Sequence, residues 1–433
     1  MFPISHVAQQ NEEDCDLCSV QSDCSGDEIF ATSITPKLNE SQIDAILSCL
    51  HKMHCHHKLS VELIWGPPGT GKTKTTSTLL FTLLRMGYRT LTCAPTNFAI
   101  TEVASRVLKL VKESFETNIR IDALFCSFGD ILLFGNKERL KVGSDMKMIY
   151  LDYRVQKLTE CLGPLTGWRH CFASMIDLLE DCVSQFHIFL ENEFIKEREQ
   201  NNEKEIKEIE SRDETDGGEG KCNSFLDFLR KRFVATSSPL KNCLLVFCTH
   251  LPKKYILEHN LQNIFSLNGL LESFETLLFQ DNVESEALVE LFSNSEVGEN
   301  ISEPFMDVPF LLYARRKECL SLLKKLQCSF NELGLPSTMN EWSIEEFCFK
   351  VASLIFCTAS SSYKLHSVAM DPLNILVIDE AAQLKDCEST VPLQLPGLRH
   401  LVLEGDERQL PAMIASNVCK CYLVFLSDIF VYM

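Results

Sequence analysis

Three short stretches carry residues whose types and spacing can do phosphate chemistry. Residues 66–73 read GPPGTGKT, a glycine-rich loop ending in Lys-Thr. Gly66, Gly69 and Gly71 let backbone N–H groups turn inward around phosphate oxygens, and a helix starting there adds its positive end. Lys72 can reach the β- and γ-phosphates, and Thr73 offers a hydroxyl to Mg²⁺. The candidate nucleotide-binding run is thus Gly66, Pro67, Pro68, Gly69, Thr70, Gly71, Lys72, Thr73 and Lys74. Residues 375–383 read ILVIDEAAQ, an apolar run that delivers two acids to its end. Asp379 suits Mg²⁺, directly or through water, and Glu380 suits the orientation and deprotonation of an attacking water. A third run, HLVLEGD, leads into GDERQLP (405–411). It brings Gln409 to a position where an amide can bond the γ-phosphate or that water.

These residues need strand ends to hold them. Five short apolar runs read as buried strands: Val61–Trp65, Thr90–Ala94, Leu354–Thr358, Ile375–Ile378 and His400–Leu403. Helical segments at Lys72–Arg85 and Thr101–Lys112 follow the first two, and this alternation predicts a parallel α/β sheet. Asn39 to Leu50 reads as a short helix with Asn39 as N-cap. Residues 113–349 interrupt the alternation with amphipathic helical stretches, notably Met148–Leu162, Trp168–Glu191, Leu270–Phe279, Glu286–Phe292 and Leu311–Leu333. Leu244–Cys248 reads as one further strand. The charged run at 191–221 reads as a solvated helix decaying into a disordered acidic loop.

The chain has 433 residues, 41 basic and 60 acidic, for a net charge of −19. On its face the net charge argues against a protein that coats nucleic acid by bulk charge, but the distribution changes the reading. The acids concentrate at 1–30, a flexible tail with seven acids and no Lys or Arg, and at 191–221, with twelve acids and six bases. Residues 31–112 carry ten bases against four acids. The acidic segments suit protein partners. Twenty cysteines are about 5% of the chain, too few for a disulfide framework, and read as reduced and buried. The start lacks a basic n-region and an apolar h-region, so no secretory signal is expected. No apolar stretch is long enough for a membrane span. Cys15, Cys18 and Cys24, and the HKMHCHHK cluster of His51, His54, Cys55, His56 and His57, lack a complete four-ligand spacing. Trp168, His170 and Cys171 read as packing or surface residues.

At LNESQIDAI (38–46), WGPPGTGKTKT (65–75), CAPTNFAI (93–100), IFCTAS (355–360), VIDEAAQ (377–383) and LEGDERQLPA (403–412) the sequence resembles superfamily 1 helicases. The group is the one that includes senataxin and the nonsense-mediated-decay helicase, and the likeness is strongest to plant tRNA-splicing-endonuclease positive-effector-like helicases. The resemblance implies a RecA-like P-loop NTPase fold, formed here by 31–112 and 350–416, with 113–349 as a mainly helical insertion that makes arms over nucleic acid. It implies that Gln42 recognises adenine, a task its donor-and-acceptor amide suits. It further implies that Pro95, Thr96, Asn97 and Thr358 lie along a single-stranded RNA or DNA backbone. ATP and Mg²⁺ are the implied cofactors, and movement along RNA or DNA the implied activity. A nucleus location is implied, with cytoplasm as the alternative.

The family core pairs two RecA-like domains, and the second is expected to be absent here. Residues 417–433, ending CYLVFLSDIFVYM, no longer resemble the family. Arginines that reach across a domain cleft contribute roughly 10³–10⁵ in rate. Slow hydrolysis and no unwinding are accordingly expected of this chain, and a non-hydrolysing nucleotide- and nucleic-acid-binding protein is the competing reading. A P-loop GTPase is disfavoured, since no Asn-Lys-x-Asp occurs and Gln42 suits adenine.

Overall fold

The computed structural model describes residues 5–6, 38–54, 58–116, 128–140, 142–207, 224–293, 307–335, 340–406 and 408. The chain divides into two compact units, residues 1–159, 248–253 and 336–433 in one, and 160–247 and 254–335 in the other.

The first unit is built on a seven-stranded sheet. Its strands are β1 (Ser5–His6), β2 (Ser60–Trp65), β3 (Thr90–Ala94), β4 (Ile131–Leu133), β5 (Leu354–Thr358), β6 (Ile375–Ile378) and β7 (His400–Gly405), in the order β1-β2-β7-β6-β3-β5-β4. All pairings are parallel except that of β1, which runs antiparallel along β2. β3, β5 and β6 are buried at every residue, as apolar strands covered on both faces should be. Around them lie α1 (Glu40–Met53), α2 (Lys72–Arg85), α3 (Asn97–Glu116), the short α4 (Lys137–Leu140) and α5 (Leu151–Leu162). Ile46 and Leu50 of α1, Leu79 and Leu83 of α2, and Val103 and Val107 of α3 pack with Ile64, Phe356, Val377 and Val402 of the strands. Asn39 caps α1 as expected. Its Oδ1 accepts from Gln42 N at 2.9 Å while Gln42 Oε1 accepts from Asn39 N at 3.1 Å.

The other unit holds α6 (Trp168–Lys207), α7 (Phe225–His250) as far as Phe247, α8 (Glu258–Leu278), α9 (Ser285–Ser293) and α10 (Val308–Asn331). Its core is aromatic. Trp168 meets Phe172, Phe247 and Phe330 edge-on, each with ring centroids 5.8 Å apart. His170 is exposed and Cys171 buried. α6 breaks at Asp181 (φ −124°), where Arg316 takes up carbonyls of Leu179 and Glu180. Two more helices, α11 (Glu341–Val351) and α12 (Asp386–Leu393), belong to the sheet-bearing unit.

The strand expected at Leu244–Cys248 is helix, inside α7. An apolar run of that length does not distinguish a strand from a buried helix face, and here the helix period continues on both sides. β4 has no clear sequence signal. It is three residues long, and the buried Arg154 anchors its approach by donating to the carbonyls of Phe128 (2.7 Å), Gly129 (3.1 Å) and Ile131 (2.7 Å). The acidic tail touches the sheet only through Ser5–His6 among its described residues. The 191–221 run is helical as far as Lys207. Gln409, the 417–433 tail, Cys15, Cys18, Cys24, and the Cys55, His56, His57 part of the His-Cys cluster lie outside the described residues. Among the described residues no helix is long and apolar enough to cross a membrane, and no group of three or more His, Cys, Asp or Glu can hold a metal ion.

Candidate nucleotide site and strand-end surface

The strand order brings the chemistry-bearing ends together. β7 lies between β2, which feeds the glycine-rich loop, and β6, which feeds the acidic pair. Trp65 is in register with Gly405, and Ile378 with Leu403. Gly69 and Gly71 have φ of +80° and +90°, the left-handed region that lets the loop fold its N–H groups inward. Gly71 N-caps α2, and its carbonyl accepts from Lys74 N and Thr75 N at 3.0 Å. Thr70 Oγ1 donates to Pro67 O at 2.9 Å and closes the turn. Lys72 is buried, and its ammonium donates to Gly66 O at 2.7 Å across the mouth of the loop. Thr73 is half-buried in the first turn of α2. Gln42 reaches the same loop, with Nε2 donating to Thr70 O at 3.1 Å. Each amide atom of Gln42 keeps one more hydrogen-bonding position beyond the cap and the loop.

Asp379 is 3% exposed, and its N–H donates to Cys93 O at 2.9 Å, which anchors it at the β6 end beside β3. Glu380 adopts φ 51°, ψ 42°, the one non-glycine residue with positive φ among those described. Such strain of about 1–3 kcal/mol gathers at functional sites. It turns the half-buried Glu380 out of the strand direction, and Gln383 Nε2 donates to Glu380 Oε2 at 3.1 Å. Gln383 holds the carboxylate in place; its only sequence signal is its position three residues downstream in the same motif.

Glu404 is a second residue not assigned from sequence. It stands beside Asp379 across the β6–β7 pairing, is fully buried, and accepts a short bond from Thr76 Oγ1 on α2. Burial and then the neighbouring Glu380 charge push the Asp379 carboxyl up to about 6, with Lys72 pulling the other way. Burial and then the Asp379 charge push Glu404 well above the ordinary carboxylate range. Asp379 Oδ1 and Glu404 Oε1 are buried without a donor from the protein. Two facing carboxyls therefore share a proton, or Asp379 turns its free oxygen to a cation. The donor set of Thr73 hydroxyl and Asp379 carboxylate is all oxygen, which fits Mg²⁺.

The other half of the sheet edge, past β3, β5 and β4, is different in kind. Thr96 is exposed, and its Oγ1 caps α3 by accepting from Ala99 N at 3.1 Å. Pro95 and Asn97 flank it, half-buried. Thr358 is 6% exposed, and its hydroxyl lies 2.7 Å from Ser361 Oγ while accepting from Ser361 N at 3.3 Å. It therefore shapes the turn, and Ser360 is the exposed hydroxyl there. Ala359 N donates to Ala94 O at 3.0 Å, so the two loops leave the sheet side by side.

The profile of a protein family described as "AAA domain" matches residues 37–417. A regulator of nonsense transcripts 1 homolog of Arabidopsis thaliana is 32% identical over 130 residues, 30% of this chain and 8% of that protein. The Drosophila melanogaster homolog is 33% identical over 144 residues, 32% of this chain and 11% of the relative. An ATP-dependent helicase of Schizosaccharomyces pombe is 38% identical over 79 residues, 17% of this chain and 8% of that protein. The matched stretch thus spans about a tenth or less of each relative's length.

Proposed function

We propose, since the chain belongs to the AAA domain family of superfamily 1 helicases in the senataxin and nonsense-mediated-decay group, that its sheet-bearing unit binds and hydrolyses Mg·ATP and couples this to single-stranded nucleic acid. The observation that carries the reading is the convergence of Lys72, Asp379 and Glu380 at the ends of strands β2 and β6 on the two sides of β7, with Gln42 against the loop.

Each residue has a distinct task in this reading. The loop N–H groups and Lys72 bind the β- and γ-phosphates, Lys72 exchanging the Gly66 carbonyl for a phosphate oxygen. Gln42 offers its remaining donor and acceptor to the adenine edge. Thr73 and Asp379 hold Mg²⁺, which when bound neutralises charge on the phosphate oxygens. Glu380, fixed by Gln383, orients a water and takes its proton. Thr96, with Pro95 and Asn97 beside it, and the turn that Thr358 shapes receive the strand backbone through hydroxyl and N–H groups.

Competition titrations with a fluorescent ATP analogue test the nucleotide assignment. ATP is expected to outcompete GTP. Lys72→Ala is expected to weaken binding by roughly 10- to 100-fold, the worth of a charge-assisted contact. A preference for GTP, or no effect of Lys72→Ala, overturns the assignment.

A further inference from the structure

We infer that Phe98 and Tyr363 are base-stacking rings for single-stranded nucleic acid, and that Lys137 and Arg139 receive the phosphates of the same strand. The inference deepens the strand-binding reading above and rests on it.

A single exposed aromatic is ordinary; two on adjacent strand-end loops that also carry hydroxyls are a pattern. Phe98 is 76% exposed and Tyr363 is 69% exposed. Phe98 is the second residue of α3, directly after Thr96 and Asn97. Tyr363 lies in the 3₁₀ segment Ser360–Ser367 that follows β5. The Ala359–Ala94 hydrogen bond and the β3–β5 register, Ala94 opposite Thr358, set the two segments next to each other. Neither ring serves the core, so stability does not account for either.

The neighbouring strand end supplies the opposite chemistry. Phe134 N donates to Phe356 O at 3.0 Å, carrying the pairing past β4. A Cβ on Gly135 would lie 3.8 Å from Ser361 Oγ, so the turn after β4 abuts the turn after β5. Two and four residues on, Lys137 and Arg139 of α4 are exposed. The edge therefore reads ring, hydroxyls, ring, and then two cations with the exposed Glu138 between them. A polymer with flat apolar bases on one side and regularly spaced anions on the other matches that sequence of groups. An apolar protein surface would match the rings but would leave the hydroxyls and cations unanswered.

The test uses the full chain and labelled 12-residue single strands, RNA and DNA, read by anisotropy. Each is paired with an abasic strand of the same length and charge. The unmodified chain is expected to bind the base-bearing strand at least about fivefold more tightly than the abasic one. Phe98→Ala with Tyr363→Ala is expected to erase that preference while abasic binding stays. Phe98→Trp and Tyr363→Phe are expected to keep it. Lys137→Gln with Arg139→Gln is expected to weaken both strands alike and to flatten the salt dependence. A preference that survives loss of both rings overturns the stacking inference and leaves strand binding standing. Failure of the unmodified chain to bind either strand overturns the strand-binding reading and the inference with it. All four side chains are exposed, and circular dichroism checks that each variant is folded.

Discussion

Gly71 stands directly under the amide of Gln42: a Cβ at residue 71 would lie 2.6 Å from Gln42 Nε2. The glycine has φ +90°, so the loop conformation and the seat of the amide depend on the same missing side chain. Gly71→Ala carries about 1–2 kcal/mol of left-handed strain and pushes the amide off the loop. It is expected to lower ATP affinity and to narrow the margin between ATP and GTP. Gln42→Ala is expected to narrow that margin with no strain in the loop backbone, at the cost of its bonds to Asn39 N and Thr70 O. Competition binding and thermal melts on the two variants separate the effects.

Glu404 and Asp379 make stability depend on pH in a defined direction. Both carboxyls are raised by burial and by neighbouring charge, Asp379 to about 6. The folded state therefore holds protons that the unfolded chain releases above its ordinary range near 4. The stabilisation is complete below that range and is lost as pH rises through the raised values. Glu404→Gln keeps an acceptor for Thr76 and adds a donor for Asp379. In EDTA the variant is expected to be more stable than the parent at pH 8, with the gain shrinking towards pH 4. Urea melts across that span measure it, and an equal gain at both ends contradicts the paired-carboxyl account.

Arg154 has no sequence signature, yet the fourth strand depends on it. Its guanidinium donates to Phe128, Gly129 and Ile131 carbonyls and to Met148 O at 3.3 Å. Arg154→Met fills much of the volume but leaves those buried carbonyls unpaired. A loss of about 3–5 kcal/mol is expected, seen as a melting temperature lower by roughly 10 °C. A neutral substitution would mean that water or repacking replaces the guanidinium.

The site was legible where chemistry demands fixed residue types in sequence order. GPPGTGKT and VIDEAAQ needed no structure to reveal their places at strand ends, and the start of α1 followed from Asn39. Pairing across strands was not legible. Glu404 reads as an ordinary acid after an apolar run until the β6–β7 register sets it against Asp379. Thr358 reads as an open hydroxyl until the turn engages it with Ser361. β4 is not legible because three residues carry no period, and Leu244–Cys248 is ambiguous because five apolar residues fit either element. Local pattern fixes what a segment can do; the neighbour that each side chain meets comes from the sheet order.

ATP turnover by the full chain, with and without single-stranded RNA or DNA, tests the central claim most directly beside Glu380→Gln. The account predicts slow, Mg²⁺-dependent hydrolysis that a single strand accelerates. In Glu380→Gln turnover should fall by roughly 10²- to 10⁴-fold while nucleotide binding persists. Hydrolysis that ignores both the strand and the loss of Glu380 would contradict it.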